Sequence, residues 1–163
     1  MTDLVFTSHH LSPLGTIEIR ASETHLLSVK FVEKITVENP NAVTKLCIAQ
    51  LEEYFNKQRK VFDLPIHFEG TEFQQKIWNA LLKIPFGRTW SYKDLALKTG
   101  KAGSVRAVGT ANGQNQFLLI VPCHRVIGSD GNLTGYAGEL WRKKWLLDFE
   151  QGDKNGKQMD LLY

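Results

Sequence analysis

The run Ile120-Val121-Pro122-Cys123-His124-Arg125-Val126-Ile127 sets a thiol, an imidazole and a guanidinium at three consecutive positions. A cysteine attacks as its thiolate, so its pKa has to fall from about 8.5. A nearby imidazole achieves this, above all when a carboxylate orients and charges the ring. Cys123 therefore reads as a reactive thiolate nucleophile. Side chains of adjacent residues often point apart, and a bridging water is a natural link between Cys123 and His124. The buried apolar segment Phe117–Val121 delivers the pair to a turn stiffened by Pro122. The glycine-rich loop from Gly128 to Gly138 follows and is placed to wall a pocket.

A helix upstream carries a different chemistry. Ser104-Val105-Arg106-Ala107-Val108-Gly109-Thr110-Ala111-Asn112 has a serine N-cap and is closed by Gly113. Its residues are small, and Arg106 is the single long cation. Small side chains let a helix approach a surface closely. Ser104 with the free amides of the helix start suits a phosphate. Reading base edges in a major groove takes several long polar side chains. This set suits close, sequence-tolerant contact with a narrow groove. A short helix, Tyr92–Thr99, capped by Ser91 and closed by Gly100, precedes it. The pair, joined by Gly100-Lys101-Ala102-Gly103, reads as a helix-turn-helix.

Further elements must hold these. Thr71-Glu72-Phe73-Gln74 is a capping box opening a helix with Phe73, Ile77, Trp78, Leu81 and Leu82 toward a core. Ile84-Pro85-Phe86-Gly87 ends it. Leu140–Phe149 forms a last helix with Leu140, Trp141, Trp145 and Leu146 as core. The first third predicts strands at Leu4–His9, Gly15–Ala21, Leu26–Glu33 and Val61–Leu64. Between the last two, Asn41 caps a helix with Val43, Leu46, Cys47, Leu51, Tyr54 and Phe55 on one face. Cys47 lies in that stripe and reads as a buried apolar thiol. His67–Gly70 reads as a link, giving domains at 1–70 and 71–163. The tail, Gln151–Tyr163, is expected to be loose.

Composition bounds the alternatives. The 163 residues are 42% hydrophobic and 23% charged, as in ordinary globular proteins. No apolar run approaches the roughly 20 residues of a membrane span, and no signal peptide is visible, so a cytoplasmic location is expected. Two cysteines make no disulfide scaffold, and the five histidines form no zinc pattern, so neither metal nor cofactor is expected. Residues 1–70 carry 7 Lys/Arg against 9 Asp/Glu, and residues 71–163 carry 13 against 8. A polyanion would therefore meet the second half.

Pro122-Cys123-His124-Arg125-Val126, with Arg106-Ala107-Val108-Gly109 and Asn115 upstream, closely resembles the O6-alkylguanine-DNA alkyltransferases. The match is strong from about Thr71 to Glu150 and holds only in outline before it. The resemblance implies an α+β fold, with an N-terminal RNase H-like α/β domain and a mainly helical C-terminal domain bearing the helix-turn-helix. It implies that Cys123 accepts the alkyl group once, irreversibly. His124 resembles the water-linked general base, and Glu150 the carboxylate that orients it. Asn115 resembles a hinge asparagine, and Tyr92 the tyrosine that protonates the departing base. Arg106 resembles an arginine finger filling the duplex where a nucleotide is flipped out. Ser104, Ser91, Ala107, Gly109 and Gly113 would share the DNA contact. Carbonyls of Cys123 and Val126 would accept from the base, with Tyr136 and Ala137 in the pocket and Trp78 as a further wall. Many relatives have serine where Ala137 stands, so one hydroxyl contact is missing here. The implied partner is double-stranded DNA carrying O6-alkylguanine, and O4-alkylthymine as well, met through the minor groove by a monomer. Competing readings are a non-catalytic lesion binder, which Cys123 argues against, a regulator using Cys123 as a sensor, and a Cys-His hydrolase.

Overall fold

The computed structural model describes residues 4–100 and 104–152. The chain forms two compact units. The first comprises Met1–Phe68 and Gln116–Ile120. The second comprises Glu69–Asn115 and Val121–Tyr163.

In the first unit, β1 (Phe6–Ser12), β2 (Gly15–Ala21) and β3 (Leu26–Val32) form an antiparallel sheet in that order. The first strand starts and ends later than its composition predicts. Ser12 pairs with Gly15, whose φ of 111° closes the tight turn. Ile17, Ile19, Ala21, Leu26 and Val29 are buried. Against them lies α1 (Ala42–Phe55), whose N-cap Asn41 forms a reciprocal capping box with Thr44. Cys47, Leu51 and Tyr54 face the core, whereas Leu46 is 45% exposed and lies outside the expected stripe. Burial pushes the Cys47 thiol up to about 12, as befits an inert core residue.

The predicted strand at Val61–Leu64 does not form. Its backbone is claimed by a side chain instead: Gln50 Nε2 donates to Asp63 O at 2.9 Å, and Asp63 N donates to Gln50 Oε1 at 2.8 Å. The late segment extends β3, with Val29 N donating to Gln116 O and Leu118 N donating to Val29 O. Phe117, Leu118, Leu119 and Ile120 are all buried there.

The second unit is mainly helical. It holds α2 (Glu72–Leu81), α3 (Tyr92–Lys98), α4 (Val105–Gly113) and α5 (Leu140–Gln151), with a two-residue parallel pairing of β4 (Trp90–Ser91) and β5 (Val126–Ile127). Capping boxes open α2 at Thr71 and α3 at Ser91, as their sequences predict. Ile77, Trp78 and Leu81 are buried, while Leu82 is 45% exposed. Three expectations need correction. Ser104 sits at the N-cap of α4 but makes no side-chain capping bond. Gly113 is still helical, and Gln114 is the C-cap. Leu140 and Trp141 are about half exposed; the buried face of α5 is Lys143, Leu146, Leu147 and Glu150, with Asp148 and Phe149. The link 101–103 between α3 and α4, and the tail from 153 onward, lie outside the described residues.

Candidate active site

Cys123, His124 and Arg125 form one turn of 3-10 helix, buried in the second unit. The turn is held from three sides. The carbonyl of Val121, before it, accepts from Asn115 Nδ2 at 2.8 Å. The carbonyl of Cys123 accepts from the Val126 N–H and faces Asn112 Nδ2 at 3.5 Å. β5 then pairs Val126 with Trp90, fixing the exit of the turn beside the start of α3. Two asparagines at the end of α4 therefore grip both carbonyls that flank the sulfur.

His124 Nε2 lies 2.8 Å from Glu150 Oε2. Arg125 clasps the same carboxylate, with Nε on Oε1 at 2.7 Å and Nη2 on Oε2 at 2.9 Å. Its Nη1 donates to Ile84 O at 2.8 Å. Burial would raise the Glu150 carboxyl, but His124 and Arg125 outweigh it and hold the group far below the usual carboxylate range. Burial pushes the His124 imidazole below 6.5, against the pull of Glu150. A neutral ring beside a carboxylate carries its proton on Nε2, so Nδ1 keeps its lone pair. Nδ1 is buried and has no partner among the described residues. Its tautomer is fixed from behind by Glu150, which leaves Nδ1 an acceptor. Gly87 permits the close packing: with φ of 81°, it passes a position where a Cβ would meet Glu150 O at 3.2 Å.

Cys123 departs from expectation. Burial raises its thiol to about 11, and the Asn115 side-chain hydrogen bond and the Lys143 charge oppose this only in part. The resting sulfur is thus a thiol and not a thiolate, because desolvation of the charged form wins.

Lys143 is fully buried on α5, where sequence periodicity placed no charge. Its Nζ donates to Thr134 O at 2.8 Å and to Gly135 O at 3.3 Å. Tyr92 OH donates to the same Thr134 carbonyl at 3.0 Å. The loop after the turn is thereby tied to α3 and α5. Tyr136, on that loop, brings its ring within 6.5 Å of the His124 ring and buries its hydroxyl. Ala137 is exposed, and Val126 is fully buried. Trp78 sits elsewhere, its indole N–H donating to Ala111 O at 2.9 Å between α2 and α4.

The outward face of α4 carries Arg106, Ala107, Thr110 and Gly113, all exposed, with Gly109 half-buried. Arg106 and Ser104 share a groove with Phe73, Gln74 and Thr110. Gly109 lies beside the Tyr92 ring, where a Cβ would approach it at 3.7 Å. Ser91 is engaged as the N-cap of α3. The structure thus gathers Cys123, His124, Glu150 and Asn115 at one turn, and Arg106, Ser104 and Ala107 on one surface.

The model of the ribonuclease-like domain of 6-O-methylguanine DNA methyltransferase matches residues 7–68, and that of its DNA-binding domain matches residues 72–152. The chain belongs to the 6-O-methylguanine DNA methyltransferase family. A methylated-DNA–protein-cysteine methyltransferase of Methanosarcina barkeri is 42% identical, over 87% of this chain and 94% of its own. The crystal structure of Mycobacterium tuberculosis O6-methylguanine methyltransferase superposes with a TM-score of 0.83 at 38% identity, covering 91% of this chain and 93% of that one. The Mycobacterium tuberculosis OGT in complex with DNA gives 0.81 at 39%, covering 90% and 92%. Family membership agrees with the resemblance carried by Pro122–Val126. No described helix is long and apolar enough to cross a membrane.

Sequence reasoning left three residues without their parts here: Arg125 as the clasp on Glu150, Lys143 as the staple of the loop, and Asn112. Positions 143, 146, 147 and 150 share one helical face, so a lysine and a glutamate in line with two leucines were the available signal.

An acid-stability prediction follows from the dyad. Both folded-state values are depressed, so each group contributes stability that is full above its ordinary value and is lost as pH falls. The urea midpoint of the protein is expected to decline below about pH 6.5, where His124 would charge in the unfolded chain, and more steeply below about 4.5. A midpoint that stayed level from pH 7 to 4 would contradict the buried dyad.

Proposed function

We propose that the chain repairs DNA by moving an alkyl group from O6-alkylguanine, and from O4-alkylthymine, onto Cys123. The observation that carries this is a buried thiol on a turn whose next residue is an imidazole with one nitrogen on a carboxylate and the other unpartnered.

The chemistry runs in one displacement. His124 Nδ1 takes the thiol proton through a bridging water, and Glu150 and Arg125 hold the imidazole as it charges. The sulfur attacks the alkyl carbon, the C–S bond forms and the C–O bond breaks. The electron pair leaves with the base, and Tyr92 OH protonates it. In the free protein that hydroxyl is bound to Thr134 O. Lys143 donates to the same carbonyl and keeps the loop in place when Tyr92 turns to the base. The product is a thioether, which no ordinary group in a protein reverses, so each molecule acts once.

The target oxygen lies inside the base stack, so the nucleotide is flipped out to reach Cys123. The exposed small-residue face of α4 enters the minor groove, with Arg106 filling the gap. Ser104, Ser91, Ala107, Gly109 and Gly113 line the contact, while Val126, Tyr136 and Ala137 bound the base. The second unit carries both binding and transfer, and the first supports it. The protein acts as a cytoplasmic monomer.

Intact-mass measurement after incubation with O6-methylguanine duplex tests this: the expected result is one methyl group per chain, mapped to Cys123. A bound duplex without mass gain would leave only a lesion binder. Arg106→Ala is expected to weaken binding by about thirtyfold, the usual effect of losing an anchoring arginine at about 2 kcal/mol. Transfer from a free base such as O6-benzylguanine should be unchanged. Equal loss with both substrates would remove Arg106 from the finger role.

A further inference from the structure

Tyr136 is set the opposite way to an ordinary surface tyrosine. A tyrosine on a loop usually packs its ring and leaves its hydroxyl in water. Tyr136 is half-buried as a residue, yet its hydroxyl is buried and has no partner among the described residues. A phenylalanine would fill the position without the cost of burying that group. The backbone on either side is pinned. Lys143 Nζ holds the Thr134 and Gly135 carbonyls, and Glu139 N donates to Tyr136 O at 2.9 Å. The inward turn of the hydroxyl is thus built into the loop.

The hydroxyl enters the surroundings of Cys123. The Tyr136 ring meets the His124 ring edge-on, with centroids 6.5 Å apart and planes at 79°. Burial pushes the phenol well above its ordinary value, and Cys123 is the foremost of the charges that act on it. The phenol therefore donates a hydrogen bond without giving up its proton. His124 Nδ1 is likewise buried without a partner among the described residues, and it accepts. A hydroxyl that donates, a nitrogen that accepts and a thiol that carries a proton thus meet at one buried turn. A buried water typically makes about three hydrogen bonds. Here one water would accept from Tyr136 O–H and Cys123 S–H and donate to His124 Nδ1.

We propose that Tyr136 is a positioning residue whose hydroxyl holds the water that carries the proton from Cys123 Sγ to His124 Nδ1. The step balances. The S–H bond breaks as the water takes that proton, the water passes one of its own to Nδ1, and the sulfur keeps the electron pair. Tyr136 keeps its proton throughout, and its O–H steadies the water oxygen while charge passes through it. This role is separate from the place of the ring beside the base, and it rests on the proposed alkyl transfer to Cys123.

The test compares the native protein with Tyr136→Phe, which keeps the ring and removes only the hydroxyl. Two methyl donors are used: O6-methylguanine duplex, and methyl iodide, which carries no base. Methyl gain at Cys123 is followed by peptide mass. At neutral pH the variant is expected to be slower by about tenfold to a hundredfold with both donors, the range for one hydrogen bond to a group that charges. The difference should shrink as the solution is made alkaline, because the thiol, raised to about 11, then ionises increasingly to solvent without a relay. A packing fault would slow the variant equally at every pH, and that result would overturn the relay role. Slowing with the duplex alone would also overturn it and make the hydroxyl a contact to the base. Native rates with both donors would remove the role altogether. A native protein that took methyl from methyl iodide faster than the variant, but none from the duplex, would overturn transfer from DNA and leave the relay standing.

Discussion

Replacing Cys123 by serine is expected to reduce alkyl transfer from O6-methylguanine DNA by more than about 10⁴-fold, as loss of an essential nucleophile does. Oxygen substitutes for sulfur with little change of volume, so the turn should keep its hold through Asn115 and Asn112. A serine hydroxyl is far harder to ionise than a thiol, and a buried imidazole of lowered basicity will not deprotonate it to any useful extent. The variant should still bind duplex DNA, because Arg106 and the exposed face of α4 are untouched. Protein mass after incubation with methylated duplex gives the transfer, and a mobility-shift titration gives the binding. Methyl gain by the serine variant would move the acceptor elsewhere. Cys47 is a poor candidate, buried in α1 with its thiol raised to about 12.

Two substitutions at Glu150 should separate its structural and chemical parts. Glu150→Ala strands the Arg125 guanidinium without its carboxylate, and breaking a buried pair in this way costs about 3–5 kcal/mol. For a chain of 163 residues that is a fall of roughly 10 °C in Tm. Glu150→Gln keeps the volume and one oxygen for Arg125, so it should melt closer to the native protein. It offers no anion to the imidazole, however, and transfer should drop by about 10²–10⁴-fold, the usual contribution of a general base. The loss of stability at low pH should also become shallower. A glutamine variant that transferred at the native rate would reduce Glu150 to a structural clasp.

Local signals carried much of the second unit. Thr71 and Ser91 cap where their sequences say, because a capping box needs only four residues to specify it. The grouping of Cys123 and His124 on one turn with the Glu150 carboxylate beside the imidazole was legible through Pro122–Val126 and the position of Glu150. What was not legible depends on burial and distance. The sign of the Cys123 shift follows from desolvation, which no dipeptide reports. Nothing in the sequence singles out Lys143, whose burial depends on the Thr134 and Gly135 carbonyls that the fold brings to it. Val61–Leu64 has strand composition, yet Gln50 satisfies its backbone, a contact 13 residues away. Gln116–Ile120 belongs with the first unit although it lies in sequence within the second, since only folding reveals β3 as its partner.

The imidazole at 124 precedes its carboxylate at 150 by 26 residues. At a synthesis rate of about 5–20 residues per second, that is a delay of a few seconds between the imidazole and its carboxylate. Until α5 closes, Arg125 and His124 have no anion to gather. On the proposed mechanism, a nascent chain therefore lacks its complete dyad until α5, the last described helix, has formed.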